Sequence, residues 1–261
     1  MKKLLLNSLA GAAMVASSVA SASMVTLWDF DVVTEWVTAG PNAPTFSAGG
    51  GSQTVTTSEI SWGGVAASER SGLTIDPTAA SGSVATNDLL GASTAVITHT
   101  NNSISADFAT LQTATLFSSL SLFAAEPNPP YDGSSETASF SSNFAIDFIE
   151  TPNVAGDCID GAGSVCDDIF VLQAEDLVSM FSFNGFMYTV QIVAPGLGLL
   201  GDDACAAAGV AAGCVGLTTL ENAINEVQFA FNITAQEIPE PASIAVLSMG
   251  LLMLGARRFR K

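Results

Sequence analysis

Apolar residues in this sequence alternate instead of recurring at helical spacing. Trp28, Phe30 and Val32 are interleaved with Asp29 and Asp31, and Phe144, Ile146 and Phe148 repeat the pattern. Phe186, Tyr188, Val190 and Ile192 do so again, and Val227, Phe229, Phe231 and Ile233 alternate with Gln228, Ala230, Asn232 and Thr234. A period of two places one set of side chains on one face of an extended chain, whereas a helix needs a period near 3.6. Shorter β-rich runs fill the rest: Thr54–Thr57 with Ile60–Trp62, Leu73–Ile75, Thr94–Thr100, Thr113–Phe123 and Asp168–Leu172. Turn signals such as Gly49-Gly50-Gly51, Asp76-Pro77 and Pro127-Asn128-Pro129-Pro130 separate them. Nine or ten strands result, and only Glu175–Met180 reads as a single helical turn. This pattern predicts an all-β fold, an antiparallel β-sandwich of jelly-roll or immunoglobulin-like type.

The two ends differ from this body. Met1–Ala22 reads as a helical secretory signal peptide: Lys2 and Lys3, an apolar stretch over Leu4–Val19, and the small-residue cleavage site Ala20-Ser21-Ala22. At the other end, Ile238-Pro239-Glu240-Pro241 leads into the apolar run Ala242–Ala256, followed by Arg257, Arg258, Arg260 and Lys261. As a helix that run rises roughly 22 Å, short of the ~30 Å hydrocarbon core, although flanking basic side chains snorkel and bilayers thin. The basic cluster orients the end toward the cytoplasm. A permanent anchor and a processed sorting signal both fit. The expected division is therefore 1–22, 23–237 and 238–261, with one domain in the middle segment.

Removing the two ends changes the charge. Residues 23–237 hold 24 of the 25 acids and, in Arg70, one of the seven basic residues, a formal charge of −23. Such a surface repels phosphate backbones and argues against nucleic-acid binding. It also disfavours acidic polysaccharide unless divalent cations mediate.

Four cysteines, Cys158, Cys166, Cys205 and Cys214, go with an oxidising compartment. Three pairings are open, and two local loops, Cys158–Cys166 and Cys205–Cys214, are the simplest. Cys-x-x-Cys spacing is absent, which argues against zinc. Asp157, Asp160, Asp167 and Asp168 cluster around the first loop, and hard oxygen ligands in irregular loops suit calcium. The stretch lacks the EF-hand pattern, so solvated loop acids are the alternative.

Little else points to chemistry. His99 is the sole histidine, no Gly-x-Ser-x-Gly elbow is present, and an imidazole at a strand end beside Asn101 suits a hydrogen bond to a turn. Trp28, Trp36 and Trp62 serve either as core anchors or, if exposed, as sugar platforms.

The tail resembles the PEP-CTERM sorting signal of Gram-negative bacteria: Pro239-Glu240-Pro241, a short apolar helix, and a terminal arginine cluster, in that order. Within the body, Thr98-His99-Thr100-Asn101 is similar to the signature of the THxN subfamily of these proteins. Ser61-Trp62-Gly63, Ser71-Gly72-Leu73, Glu150-Thr151-Pro152-Asn153, Cys166-Asp167-Asp168-Ile169-Phe170 and Cys214–Thr219 resemble it too. The resemblance implies recognition by an exosortase, transient residence in the inner membrane, and delivery to the cell surface or exopolysaccharide matrix. It supplies no catalytic residue. The expectation is an exported, non-enzymatic surface protein, ahead of a carbohydrate-binding module and a secreted hydrolase.

Overall fold

The structure is a computed structural model that describes residues 23–151, 167–173 and 177–239. The signal peptide with Ala20 and Ala22, the tail from Glu240 through Lys261, and Asp157, Cys158, Asp160 and Cys166 lie outside the described residues.

Fifteen strands are present among the described residues. They are β1 (Leu27–Trp36), β2 (Thr45–Phe46), β3 (Thr54–Val55), β4 (Glu59–Gly63), β5 (Arg70–Asp76), β6 (Ala79–Ala85), β7 (Ala92–Asn101), β8 (Leu111–Glu126) and β9 (Glu136–Ile149). After them come β10 (Asp168–Gln173), β11 (Val178–Phe183), β12 (Phe186–Val193), β13 (Gly198–Leu199), the short helix α1 (Asp202–Ala207), β14 (Val215–Thr219) and β15 (Ala223–Glu237). Two antiparallel sheets form: β13-β14-β10-β9-β8-β1-β6, with β2 added on β8, and β11-β12-β15-β7-β5-β4-β3. This is a β-sandwich, as the alternation predicts.

Burial follows the sequence pattern closely in β1, where Trp28, Phe30 and Val32 are buried and Asp31 is exposed. Aromatic rings join the sheets. Phe30 of β1 meets Phe231 of β15 edge-on at 5.0 Å, and Trp28 meets Tyr188 of β12 at 5.0 Å. The interior holds two large clusters. One contains Trp28, Phe30, Tyr188 and Phe231; the other contains Trp36, Trp62, Leu73, Phe148 and Phe170.

Three features depart from the expectation. Val178–Met180 belongs to strand β11, not to a helical turn. The reason is the Asn184-Gly185 pair, whose φ angles of 45° and 80° make the tight hairpin that lays β11 on β12. Second, α1 interrupts an otherwise all-β chain for six residues, with Asp202 and Asp203 in its first turn, where the helix dipole favours negative charge. Third, β7 carries a bulge. Gln228 pairs with Val96 while Ala230 pairs with Ser93, so β7 accommodates one extra residue there. Ala92 and Ala95, three apart, are consequently both buried, and the inward set beyond the bulge becomes Ala95, Ile97, His99 and Asn101.

Cys205 and Cys214 form the expected local disulfide, with the Cα atoms 5.8 Å apart. It ties α1 to the start of β14. Closing a loop of this length restricts the unfolded chain by about 2–3 kcal/mol. A Cys205→Ala/Cys214→Ala double variant is therefore expected to lose about that much stability in urea unfolding. An unchanged midpoint would mean that the loop is already ordered in the unfolded chain.

Candidate functional site

The bulge in β7 turns His99 and Asn101 into the space between the sheets, while Thr98 and Thr100 stay on the other face, half-buried. Around these two residues several distant segments converge. Trp62 of β4 stacks on His99 with ring centroids 6.0 Å apart, and Phe148 of β9 meets the imidazole edge-on at 5.1 Å. The Trp62 indole Nε1–H donates to Glu150 Oε2 at 2.8 Å. Glu150 follows directly from β9, and the next residue, Thr151, donates its backbone N–H to Asp168 Oδ1 at 2.9 Å. Asn101 Nδ2 donates to the carbonyl of Thr219 on β14 at 3.0 Å, and Thr219 Oγ1 donates to the Asp168 carbonyl at 3.4 Å. Glu221, in the turn after β14, accepts from Ser103 Oγ at 3.0 Å, and the Asn101 side chain favours its charged form.

At the centre are three carboxylates. One oxygen each from Glu150, Asp168 and Glu221 lies within 4.8 Å of the other two. Asp168 is fully buried, while Glu150 and Glu221 are partly so. Bringing three acids together out of water disfavours their charged forms. Burial, then the neighbouring Glu150 charge, pushes the Asp168 carboxyl up to about 9. Glu150 is pushed up to about 7, chiefly by burial and further by Glu221, against the stabilising indole hydrogen bond. Burial also raises Glu221.

His99 is 3% exposed, and burial lowers it to about 3. Neither ring nitrogen has a hydrogen-bond partner among the described residues. The expected bond from the imidazole to a turn is thus not formed, because Trp62 and Phe148 wall the ring in. The neighbouring loops are held instead by Asn102, whose Nδ2 donates to the Arg70 carbonyl at 2.7 Å, and by Ser71, which exchanges hydrogen bonds with the Asn102 backbone. An imidazole enclosed in this way, its basicity lowered by burial, is closed off from an outside substrate.

Of the four aspartates of the expected calcium loop only Asp167 and Asp168 are described, and Asp168 lies with Glu150 and Glu221. Neither glutamate was legible as a site residue, since acids beside turns ordinarily face solvent. Trp28, Trp36 and Trp62 are all core residues, at most 1% exposed, so none offers a ring face to a sugar. Arg70, the single basic residue of the body, donates to Ser52 O at 2.7 Å, Thr54 Oγ1 at 2.8 Å and Ser61 Oγ at 2.9 Å. Its guanidinium thereby fastens the β3–β4 hairpin.

Five of the six stretches on which the expected family resemblance rests touch this centre through Trp62, Glu150, Asp168, Thr219 and the His99–Asn101 segment; Ser71 adds the sixth through Asn102. Elsewhere in the sandwich, two cavities of about 30 and 40 Å³ open near Leu120, Phe144 and Ile192, and a shallow groove of about 450 Å³ runs past Asp29, Asp31, Ser81 and Phe123. Comparison with protein-family models yields no match to the chain, and comparison with curated proteins yields none either.

Proposed function

We propose that this chain is an exported, non-enzymatic protein of the cell surface or exopolysaccharide matrix of a Gram-negative bacterium, sorted by an exosortase. The observation that carries the reading is where the sandwich ends. β15, a central strand flanked by β12 and β7, closes at Glu237, just before Pro239. A tail beginning at Pro239-Glu240-Pro241 is then removable without disturbing a strand. Six of the seven basic residues sit in the two terminal segments, as expected for addresses read at a membrane. The Cys205–Cys214 disulfide suits an oxidising destination. For the sandwich itself we favour the jelly-roll class over the immunoglobulin-like one. The chain crosses between sheets at each step from β5 to β8, and fifteen strands exceed an immunoglobulin domain's seven to nine.

The buried tryptophans weaken the carbohydrate-binding alternative, which is left with the groove beside Asp29, Asp31 and Phe123. The enclosed state of His99 weakens the hydrolase alternative. Mass spectrometry of the surface-localised protein is the direct test. The chain is expected to start near Ser23 and to end near Pro239-Glu240-Pro241. Recovery of peptides carrying Arg257–Lys261 from the surface fraction would replace sorting by permanent anchoring.

A further inference from the structure

We propose that Glu150, Asp168, Glu221 and the side-chain carbonyl of Asn101 form a calcium site that locks the two sheets together at the THxN segment. The argument rests on oxygen atoms that lack donors. Glu150 Oε1 and Asp168 Oδ2 are buried without a hydrogen-bond partner among the described residues, and both belong to the trio whose oxygens lie within 4.8 Å. A buried acceptor left unpaired is costly, more so when it is charged, so a native site needs something to meet it.

Asn101 supplies an observation independent of the acids. It is fully buried, its Nδ2 donates to Thr219 O, and its Oδ1 has no partner among the described residues. The Asn101 side chain also favours the charged form of Glu221, so the unpartnered carbonyl belongs to a group that borders the trio. An amide oxygen together with carboxylate oxygens makes a ligand set of the kind calcium takes.

The donor set selects which cation. All four groups offer oxygen, and neither sulfur nor the His99 imidazole belongs to the trio, which disfavours zinc and copper. Magnesium ordinarily keeps several waters and takes one or two carboxylates, whereas calcium accepts six to eight oxygens in loose geometry. Three carboxylates, any of them able to bind through both oxygens, plus one carbonyl approach that number. The ligands come from β7 of one sheet and from segments bordering β9, β10 and β14 of the other. Binding would therefore cross-link the sandwich.

The test is calorimetric melting of the purified full chain in chelator and in calcium. With calcium about a hundred-fold above its dissociation constant, the melting temperature is expected to rise by roughly 5–10 °C. An equal concentration of magnesium should give much less. Asp168→Asn keeps the shape and the acceptor for the Thr151 N–H while removing charge from a repulsive cluster, so it should fold; it is expected to abolish the shift. Asp202→Asn/Asp203→Asn, which neutralises exposed acids of α1, should leave the shift intact. Titration calorimetry should then give one calcium per chain for wild type and none for Asp168→Asn. Identical melting in calcium and chelator would overturn the proposal, leaving protons or water to satisfy these oxygens. An undiminished shift in Asp168→Asn would overturn it equally, by placing calcium elsewhere.

Discussion

Truncating Trp28 to alanine is expected to destabilise the protein by about 3–5 kcal/mol, the range for emptying a fully buried large aromatic site. Trp28 has no exposed surface, and it is the hub of one of the two large core clusters. Its ring meets Tyr188 at 5.0 Å, Phe181 at 5.5 Å and Phe183 at 6.3 Å, all near edge-on. Those three rings come from β11 and β12, at the far edge of the opposite sheet. Their hairpin presents β11 as an edge strand with Val178 and Met180 exposed, and Trp28 is the side chain of the opposite sheet that touches all three of its rings. The indole N–H also donates to Thr86 Oγ1 at 3.0 Å, which in turn donates to the Val25 carbonyl at 2.6 Å. Losing the ring thus opens a cavity and frees the chain entry to β1. For a domain of this size the melting temperature should fall by roughly 6–20 °C. Trp28→Phe should recover part of the loss by refilling the ring volume without the hydrogen bond. A fall of under about 2 °C for the alanine variant would mean that the sheets are held elsewhere.

Gly216→Ala is expected to cost about 3 kcal/mol, and Gly198→Ala almost nothing, although the two glycines are cross-strand partners. A Cβ on Gly216 would lie 2.0 Å from the Phe170 carbonyl oxygen, a backbone atom of β10. No rotamer change relieves that clash. Either β14 moves off β10 and gives up ladder hydrogen bonds, or Phe170 shifts in the core, where it is 2% exposed. At Gly198 the same methyl group meets nothing within 4 Å. The effect should extend beyond stability. Thr219, at the end of β14, receives the Asn101 amide and donates to the Asp168 carbonyl. Hydrogen exchange at Asp168 and Thr219 should accordingly quicken in Gly216→Ala and stay unchanged in Gly198→Ala. Equal stability of the two variants would show that β14 tolerates displacement.

Which elements would form was largely legible, because alternation is a local property. The inward faces of β1 and β12 can be read from Trp28, Phe30, Tyr188 and Val190 without knowing what they pack against. The hairpin at Asn184-Gly185 was equally readable, since both residues tolerate positive φ, and it outweighs the helical look of Glu175–Met180. The two-residue strands and α1 were not, because so few residues carry no usable period.

The centre at Asn101 belongs to another class of information. Glu150, Asp168 and Glu221 are separated along the chain and each stands at the end of a strand, where an acid ordinarily faces water. Composition and alternation were enough to specify an acidic, all-β body whose basic residues, apart from Arg70, lie in two terminal segments. Only the tertiary structure brought the carboxylates within 4.8 Å of one another and turned His99 and Asn101 inward. For His99 and Asn101 the physical reason is the β7 bulge: one extra residue opposite β15 reverses which face of the strand is inside, and local alternation contains no record of the strand across from it.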